Sequence, residues 1–180
     1  MMDYTEKAIR HVNSYHGVVV DVTADIVSLP GGGTSVREVV HHPGGVCIAA
    51  VDGDGNIYVE RQFRYPFGKH LTELPAGKLE KGEDPFEAAQ RELSEETGLT
   101  AGEWTKLGSI YVSPGISTEE LHLYLARDLH QGQTHLDPNE FLDVEKMPLS
   151  QLLDRITAGD IHDAKTVVGA LRAAAFLARN

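Results

Sequence analysis

The chain has 180 residues, enough for one domain with a short accessory segment. Hydrophobic residues make up 41% of it, so it can bury a core without disulfide or metal support. Sixteen Lys and Arg residues face 27 Asp and Glu residues, a net charge of −11 with neutral His. Because this charge repels phosphodiester backbones and anionic lipids, we expect neither nucleic acid nor a membrane as a partner.

The single cysteine, Cys47, excludes an intramolecular disulfide framework and a cysteine-rich zinc module. It lies in the apolar run 46–50, which favours a buried structural thiol over a nucleophile. The first residues lack the apolar stretch of a signal peptide, and no run approaches the ~18 apolar residues that span a bilayer. These features predict a soluble, cytoplasmic protein.

Strands are predicted where β-branched and apolar residues concentrate, at 17–22, 24–29, 34–40, 46–51, 57–63, 104–112, 121–127 and 141–146. The sequence DGDGN at 52–56 is typical of a hairpin turn. A helix is predicted to begin after an Asp84 N-cap, with Pro85 in its first turn, and to stop at Gly98. Further helices are predicted at 149–157 and 164–178. The expected class is α+β, with helices packed on a mixed sheet.

The first predicted helix carries a cluster of carboxylates. Glu92 and Glu96 are one turn apart on one face, with Glu95 on its flank and Arg91 one turn before Glu95. Like charges at this spacing repel, so a bound cation would stabilise them, and clustered carboxylate oxygens suit Mg²⁺ or Mn²⁺. A solvated acidic face is the alternative interpretation.

The residues that enter this helix favour the metal interpretation. Gly77 and Gly82 bracket the entering loop, and Glu83 adds another acid at its end. The segment that contains Ala76 exposes backbone nearby, where a carbonyl group could join a metal site.

The region matches every fixed position of a pattern that reads Gly-x5-Glu-x7-Arg-Glu-aliphatic-x-Glu-Glu-x-Gly-aliphatic. The matching residues are Gly77, Glu83, Arg91, Glu92, Leu93, Glu95, Glu96, Gly98 and Leu99. The chain therefore resembles the Nudix hydrolases. The resemblance implies an α/β/α sandwich and metal-dependent cleavage of a diphosphate linked to another moiety. It also implies that Glu92 and Glu96 are the principal metal ligands, with Glu95 and the Ala76 carbonyl as further candidates.

Residues outside this motif resemble the ADP-ribose pyrophosphatase branch of the family. The relevant segments are 61–66, 73–77 and 111–115, with Pro114 after the motif at the distance typical of that branch. This resemblance implies hydrolysis of ADP-ribose to AMP and ribose 5-phosphate, with other nucleoside diphosphate sugars as further substrates. Another nucleoside diphosphate compound, such as a GDP-sugar, a dinucleotide or an oxidised nucleotide, remains the alternative. A non-catalytic, nucleotide-sensing module is the third interpretation.

Substrate-binding candidates are polar side chains and turn residues around the motif, namely Arg37, Arg64, Glu73, Lys78, Ser113 and Gly115. Each arginine could bind a phosphate or ribose oxygen, or could form an ordinary ion pair. Glu73 could accept a hydrogen bond from the ribose, or could be the partner of Arg64.

The catalytic candidates are Glu140, Glu95, Arg91 and Glu83. The resemblance implies that Glu140, in the acidic loop before Phe141, is the general base that deprotonates water. The alternatives are that Glu95 or Glu96 is the base and that Glu140 is a solvated loop acid.

We expect the chain to divide into an N-terminal β-rich segment, 1–42, and a Nudix hydrolase domain, 43–180. Relatives in the ADP-ribose branch use such a segment to form a homodimer and to complete the substrate pocket. The resemblance therefore implies a homodimer.

Overall fold

The computed structural model describes residues 2–179 of the chain. These residues form two compact units. The first comprises residues 2–44 together with Tyr111–Glu120, and the second comprises Gly45–Ile110 and residues 121–179.

The first unit contains an antiparallel sheet of four strands. They are β1 (Lys7–Arg10), β2 (Asn13–His16), β3 (Asp21–Ser28) and β4 (Thr34–His41). Strands β1 and β2 pair with successive parts of β3, and β4 also pairs with β3. Alternate residues of β3 are buried, as expected for a strand that covers a core with one face.

The predicted strand at 17–22 is wrong over its first four residues. Residues 17–20 form a bend, and the strand begins only at Asp21. The Gly17 amide donates to the Val20 carbonyl oxygen at 2.9 Å, so the backbone turns back on itself there. The β-branched side chains that suggested a strand are largely exposed, with Val18 fully so.

The second unit contains two sheets. Its strands are β5 (Gly45–Ala50), β6 (Asn56–Arg64), β7 (Lys69–Glu73), β8 (Ala76–Lys78), β9 (Leu99–Tyr111), β10 (Glu120–Gln131) and β11 (Leu142–Pro148). One sheet has the order β8-β5-β10-β9, in which β5 and β10 are parallel. The other has the order β11-β6-β7 and is antiparallel. Strands β7 and β8 were not predicted, and β9 begins five residues before its predicted start.

Among the described residues, three α-helices pack against the strands of this unit. They are α1 (Pro85–Thr97), α2 (Leu149–Ala158) and α3 (Ala164–Leu177). Successive side chains of β5 point to opposite faces of the sheet. Val46, Ile48 and Ala50 pack in one cluster with residues of α1. Cys47, Ala49 and Val51 pack in a second cluster with residues of α2 and α3. The second unit is therefore an α/β/α sandwich, and the predicted fold class is confirmed.

Local sequence signals explain where α1 begins and ends. The Asp84 side chain accepts hydrogen bonds from the amides of Phe86 and Glu87, at 2.8 and 3.3 Å, as an N-cap does. Gly98 has a φ of 70° and ends the helix in the left-handed conformation that glycine adopts without strain. Both predictions for this helix are confirmed.

The prediction of a buried thiol at Cys47 is also confirmed, because only 1% of the residue is exposed. Burial raises the pKa of this thiol far above its usual value. No helix among the described residues has the length and apolar character needed to cross a membrane.

Candidate active site

Helix α1 and strand β8 bring two of the predicted metal ligands together. Glu96 is almost completely buried, and its Oε2 accepts a hydrogen bond from the Ala76 amide at 2.9 Å. The helix therefore holds the Glu96 carboxylate against the strand through backbone contact. Burial, followed by the nearby Glu60 charge, raises the pKa of Glu96 above its usual value.

Arg91 holds the remaining acids of the motif. Its Nε donates to Glu83 at 2.8 Å, and its Nη1 donates to Glu92 at 2.8 Å and to Glu95 at 3.0 Å. The predicted contact between Arg91 and Glu95 is confirmed. The hydrogen bond with Glu83, more than any other cause, raises the pKa of the Arg91 guanidinium. One guanidinium thus orients carboxylates from α1 and from the loop before it.

Gly77 leaves the space that the Glu92 carboxylate occupies. A Cβ atom at position 77 would lie 1.8 Å from Oε1 of Glu92, far inside van der Waals contact. Glycine is required here by this close approach, because the side chain packs directly on the β8 backbone. The first glycine of the motif therefore shapes the carboxylate cluster.

A partly buried ion-pair network joins strands β6 and β7 to helix α3. Arg64 donates to both Glu73 oxygens, at 2.7 and 2.6 Å, and Lys165 also bonds to Glu73. Lys165 contacts Asp163 as well, with Nζ 3.1 Å from Oδ2. Although burial opposes ionisation of Glu73, Arg64 and Lys165 hold its pKa below the usual value. In this structure Glu73 is the partner of Arg64, one of the two interpretations that the sequence left open.

Two further carboxylates lie near Glu96. Glu60, on β6, is almost completely buried, and its charge contributes to raising the pKa of Glu96. Burial is the main cause that raises the pKa values of Glu60, Glu92 and Glu96. The charge of Glu140 lies close enough to raise them further. The structure thus brings the predicted base candidate into the neighbourhood of the helix carboxylates.

Sequence reasoning missed Glu60 and Lys165. Lys165 is in α3, 92 residues after Glu73, so no local pattern links the two. Glu60 carried no signal either, because it alternates along β6 with the core residues Ile57 and Val59, at a position where an exposed acid is ordinary. Burial of Val59 and Glu60 in succession shows that both faces of β6 are covered at this point.

The chemistry of these residues fits a divalent cation. In the described residues no group of three His, Cys, Asp or Glu side chains has the arrangement to hold a metal ion as it stands. Arg91 and the Ala76 amide occupy oxygens of the cluster instead. Oε1 of Glu60, however, is buried without a hydrogen-bond partner among residues 2–179. Several acids around one buried, unpartnered oxygen form a donor set of the kind that hard cations bind.

The other four predicted substrate-binding residues lie outside the network of Arg64 and Glu73. Lys78 is an exposed residue of β8, and its carbonyl oxygen accepts a 3.3 Å hydrogen bond from Arg91. Arg37 belongs to the first unit, where its guanidinium bonds to Glu6 at 2.5 and 2.9 Å. Ser113 and Gly115 lie in the exposed loop of the first unit that follows β9.

Comparison with known proteins identifies the family. The NUDIX domain model matches residues 41–167. The chain is 42% identical to an ADP-ribose pyrophosphatase of Bacillus subtilis, over 92% of this chain and 91% of the relative. It is also 42% identical to a methanol dehydrogenase activator of Bacillus methanolicus, over 92% and 90% of the two chains. It is 35% identical to an ADP-ribose pyrophosphatase of Mycobacterium tuberculosis, over 95% and 84%.

A solved structure has the same fold. The crystal structure of an ADP compounds hydrolase superposes with a TM-score of 0.85 and covers 97% of this chain and 95% of its own, at 20% identity. The motif on α1, the α/β/α architecture around it and the matched domain agree. The chain belongs to the Nudix family.

Proposed function

We propose that this protein is an ADP-ribose pyrophosphatase, which hydrolyses ADP-ribose to AMP and ribose 5-phosphate. Water attacks one phosphorus atom, the bond from that phosphorus to the bridging oxygen breaks, and each product keeps one phosphate. The observation that carries the proposal is the complete carboxylate cluster of α1, held by Arg91 in a chain similar over nine-tenths of its length to an enzyme of this name. Other nucleoside diphosphate sugars are further candidate substrates.

The proposed cofactor is Mg²⁺, with Mn²⁺ as a substitute, since both prefer oxygen ligands. Its ligands would be Glu92 and Glu96, with Glu95 and the Ala76 carbonyl oxygen as further candidates. When bound, the cation would reduce the negative charge on the diphosphate and make water easier to deprotonate. Arg91 contributes by holding Glu92 and Glu95 in place before any cation binds. Glu83 in turn orients Arg91.

We propose Glu140 as the general base. Glu95 already accepts a hydrogen bond from Arg91, and Glu96 accepts one from the Ala76 amide. Both alternatives are therefore held in structural contacts, whereas Glu140 lies on a loop and is only partly buried. Its charge reaches Glu92 and Glu96, which supports a position near the reacting water.

The proposed substrate contacts are made by charged side chains and turn residues. Arg64 bonds to Glu73 but remains 39% exposed, so part of its guanidinium is available to a phosphate oxygen. Lys78 offers a second exposed cation, on the β8 strand whose backbone accepts a hydrogen bond from Arg91. Glu73 would act on substrate mainly by orienting Arg64. The remaining proposed contacts are Arg37, Ser113 and Gly115.

We further propose a homodimer formed through the N-terminal β-rich segment, 1–42, which would add to the pocket of the hydrolase domain, 43–180. Large apolar side chains are exposed on this segment, including Ile9, Tyr15 and Val18. A second copy would remove them from water. Light scattering on the purified protein tests the dimer. The proposed compartment is the cytoplasm, where a free thiol such as Cys47 stays reduced.

Product analysis tests the proposed function. The purified protein would be incubated with Mg²⁺ and ADP-ribose, ADP-glucose, GDP-mannose, a dinucleotide or an oxidised nucleotide, with and without EDTA. We expect metal-dependent release of AMP from ADP-ribose at the highest rate, and loss of turnover in a folded Glu96→Gln variant. Faster turnover of another compound would contradict the substrate assignment. Tight binding without turnover of any compound would indicate a nucleotide sensor instead.

A further inference from the structure

Glu60 occupies a position in β6 at which a charged side chain is costly. The residue is 3% exposed, and its neighbour Val59 is fully buried on the opposite face of the strand. In the antiparallel ladder Glu60 lies between Val144 of β11 and Glu73 of β7. Two acids therefore face each other directly across neighbouring strands, and like charges in this arrangement destabilise a sheet.

Two cationic side chains bond to Glu73 and offset this repulsion, whereas Glu60 has no ion pair among the described residues. Arg64 and Lys165 both bond to Glu73. The Lys165 charge also acts on Glu60, but its ammonium group contacts Glu73 and Asp163. Oε1 of Glu60 is buried and has no hydrogen-bond partner in the part of the chain that the structure describes. A buried carboxylate oxygen without such a partner is destabilising in general, so a fold that keeps one has another use for it.

The surroundings of Glu60 identify that use. Its carboxyl group lies near enough to Glu96 for its charge to act there, and the Glu140 charge acts on both acids. Glu96 is itself 2% exposed, so two acids meet where water is excluded. A second ammonium or guanidinium group would have to enter from another element, whereas a divalent cation carries enough charge to neutralise both acids at once.

We propose that Glu60 is an additional cation-binding carboxylate, whose unpartnered oxygen joins the divalent-cation site of Glu92 and Glu96. This inference rests on the proposed cation site of α1. It extends that site to strand β6, outside the 77–99 motif. Glu60 would increase the affinity for the cation and would connect the cation to the Arg64–Glu73–Lys165 network through the neighbouring strand.

Cation binding without substrate tests this inference. Mn²⁺ affinity would be measured by electron paramagnetic resonance of the free ion for the wild type and for Glu60→Gln and Glu60→Leu. Glu145→Gln is the matched control, because Glu145 is an exposed acid on β11, the strand paired with β6. We expect both Glu60 variants to bind Mn²⁺ roughly 10-fold more weakly or worse, the range typical when a supporting carboxylate of a metal site is lost. The control should bind as the wild type does.

Thermal unfolding with and without Mn²⁺ gives the second readout. We expect the Glu60 variants to unfold at the same or a higher temperature than the wild type without metal, and to gain less stability from Mn²⁺. Wild-type Mn²⁺ affinity in both variants would overturn the inference and leave Glu60 as a buried acid without a role in the cation site. Since no substrate is present, this outcome is distinct from a failure of the wild type to hydrolyse ADP-ribose.

Discussion

The Glu92 carboxylate packs directly on the backbone of Gly77, at the point where strand β8 passes helix α1. A Cβ atom at position 77 would stand 1.8 Å from Oε1 and 2.3 Å from Oε2 of Glu92. The two residues are 15 positions apart in the sequence, yet the Glu92 carboxylate can take this position only because residue 77 has no side chain. The glycine leaves the space, and the glutamate fills it with Oε1, which accepts a hydrogen bond from Arg91.

Replacing Gly77 with alanine should displace Glu92. We expect the Gly77→Ala variant to lose activity by about 100-fold, because a catalytic group moved by 1 Å can cost that much. The measurement is kcat with ADP-ribose and Mg²⁺, accompanied by thermal unfolding. Gly53→Ala is the control, since a Cβ there meets no atom within 4 Å. Full activity in Gly77→Ala would show that the position of Glu92 is unimportant.

Replacing Arg91 with lysine should loosen the carboxylate cluster without removing the positive charge. Lysine cannot form the forked contacts with Glu83, Glu92 and Glu95. We expect a decrease in Mg²⁺ affinity and in kcat of roughly 10- to 100-fold. Arg127→Lys provides the comparison, because Arg127 forms an exposed pair with Glu103 at 2.9 Å. If Arg91→Lys and Arg127→Lys behave alike, Arg91 does not organise the site.

Replacing Glu140 with glutamine distinguishes the candidate bases. We expect kcat to fall by about 10²- to 10⁴-fold, the usual contribution of a general base, with little change in Mn²⁺ affinity. The comparison is Asp137→Asn in the same loop, whose carbonyl oxygen accepts the Glu140 amide at 2.9 Å. If Glu140→Gln retains kcat while a folded Glu95→Gln variant loses it, the base is Glu95.

The ion pair of Glu73 should make the stability of the protein depend on pH. Its pKa is below the usual 4.5 in the folded state, because Arg64 and Lys165 outweigh the effect of burial. This stabilisation is therefore complete above about pH 4.5 and is lost as the pH falls through the lower, folded-state value.

The Glu73→Gln variant tests that dependence. We expect it to be destabilised by about 3 kcal/mol at pH 7, since it leaves Lys165 and Arg64 without their shared partner. The difference from the wild type should shrink as the pH is lowered below about 4.5. Denaturant unfolding at several pH values measures it, with Glu103→Gln as the exposed control. A difference that stays constant down to pH 3 would exclude this linkage.

Local features of the chain could be predicted because their causes are local. Asp84 caps α1 through amides two and three residues away, and Gly98 ends the helix by its own backbone conformation. The alternation of β5 between two packed faces follows from the period of a strand. The bend at 17–20 was missed because β-branched residues favour extended backbone whether or not another strand pairs with them.

The partners of the charged residues could not be predicted in the same way. The sequence left two roles open for Arg64 and Glu73, and only the packing of β6 beside β7 shows that they bond to each other. Lys165 reaches the same carboxylate from α3, which no spacing along the chain indicates. Arg37 bonds to Glu6, a residue that the sequence did not connect with it.

The sequence by itself determined the helix of carboxylates, the glycines that flank it and, through them, the family. These features follow from residue type and short-range spacing, which fix a helix face and its caps. Only the tertiary structure decided which carboxylates have a cationic side chain as a partner and which do not. That outcome depends on strands β6 and β7 and helix α3 meeting, because electrostatic energy is set by distance in space and by exclusion of water. Glu60 is the clearest case, an ordinary strand residue in the sequence and, in the fold, a buried acid with an oxygen that has no hydrogen-bond partner among the described residues.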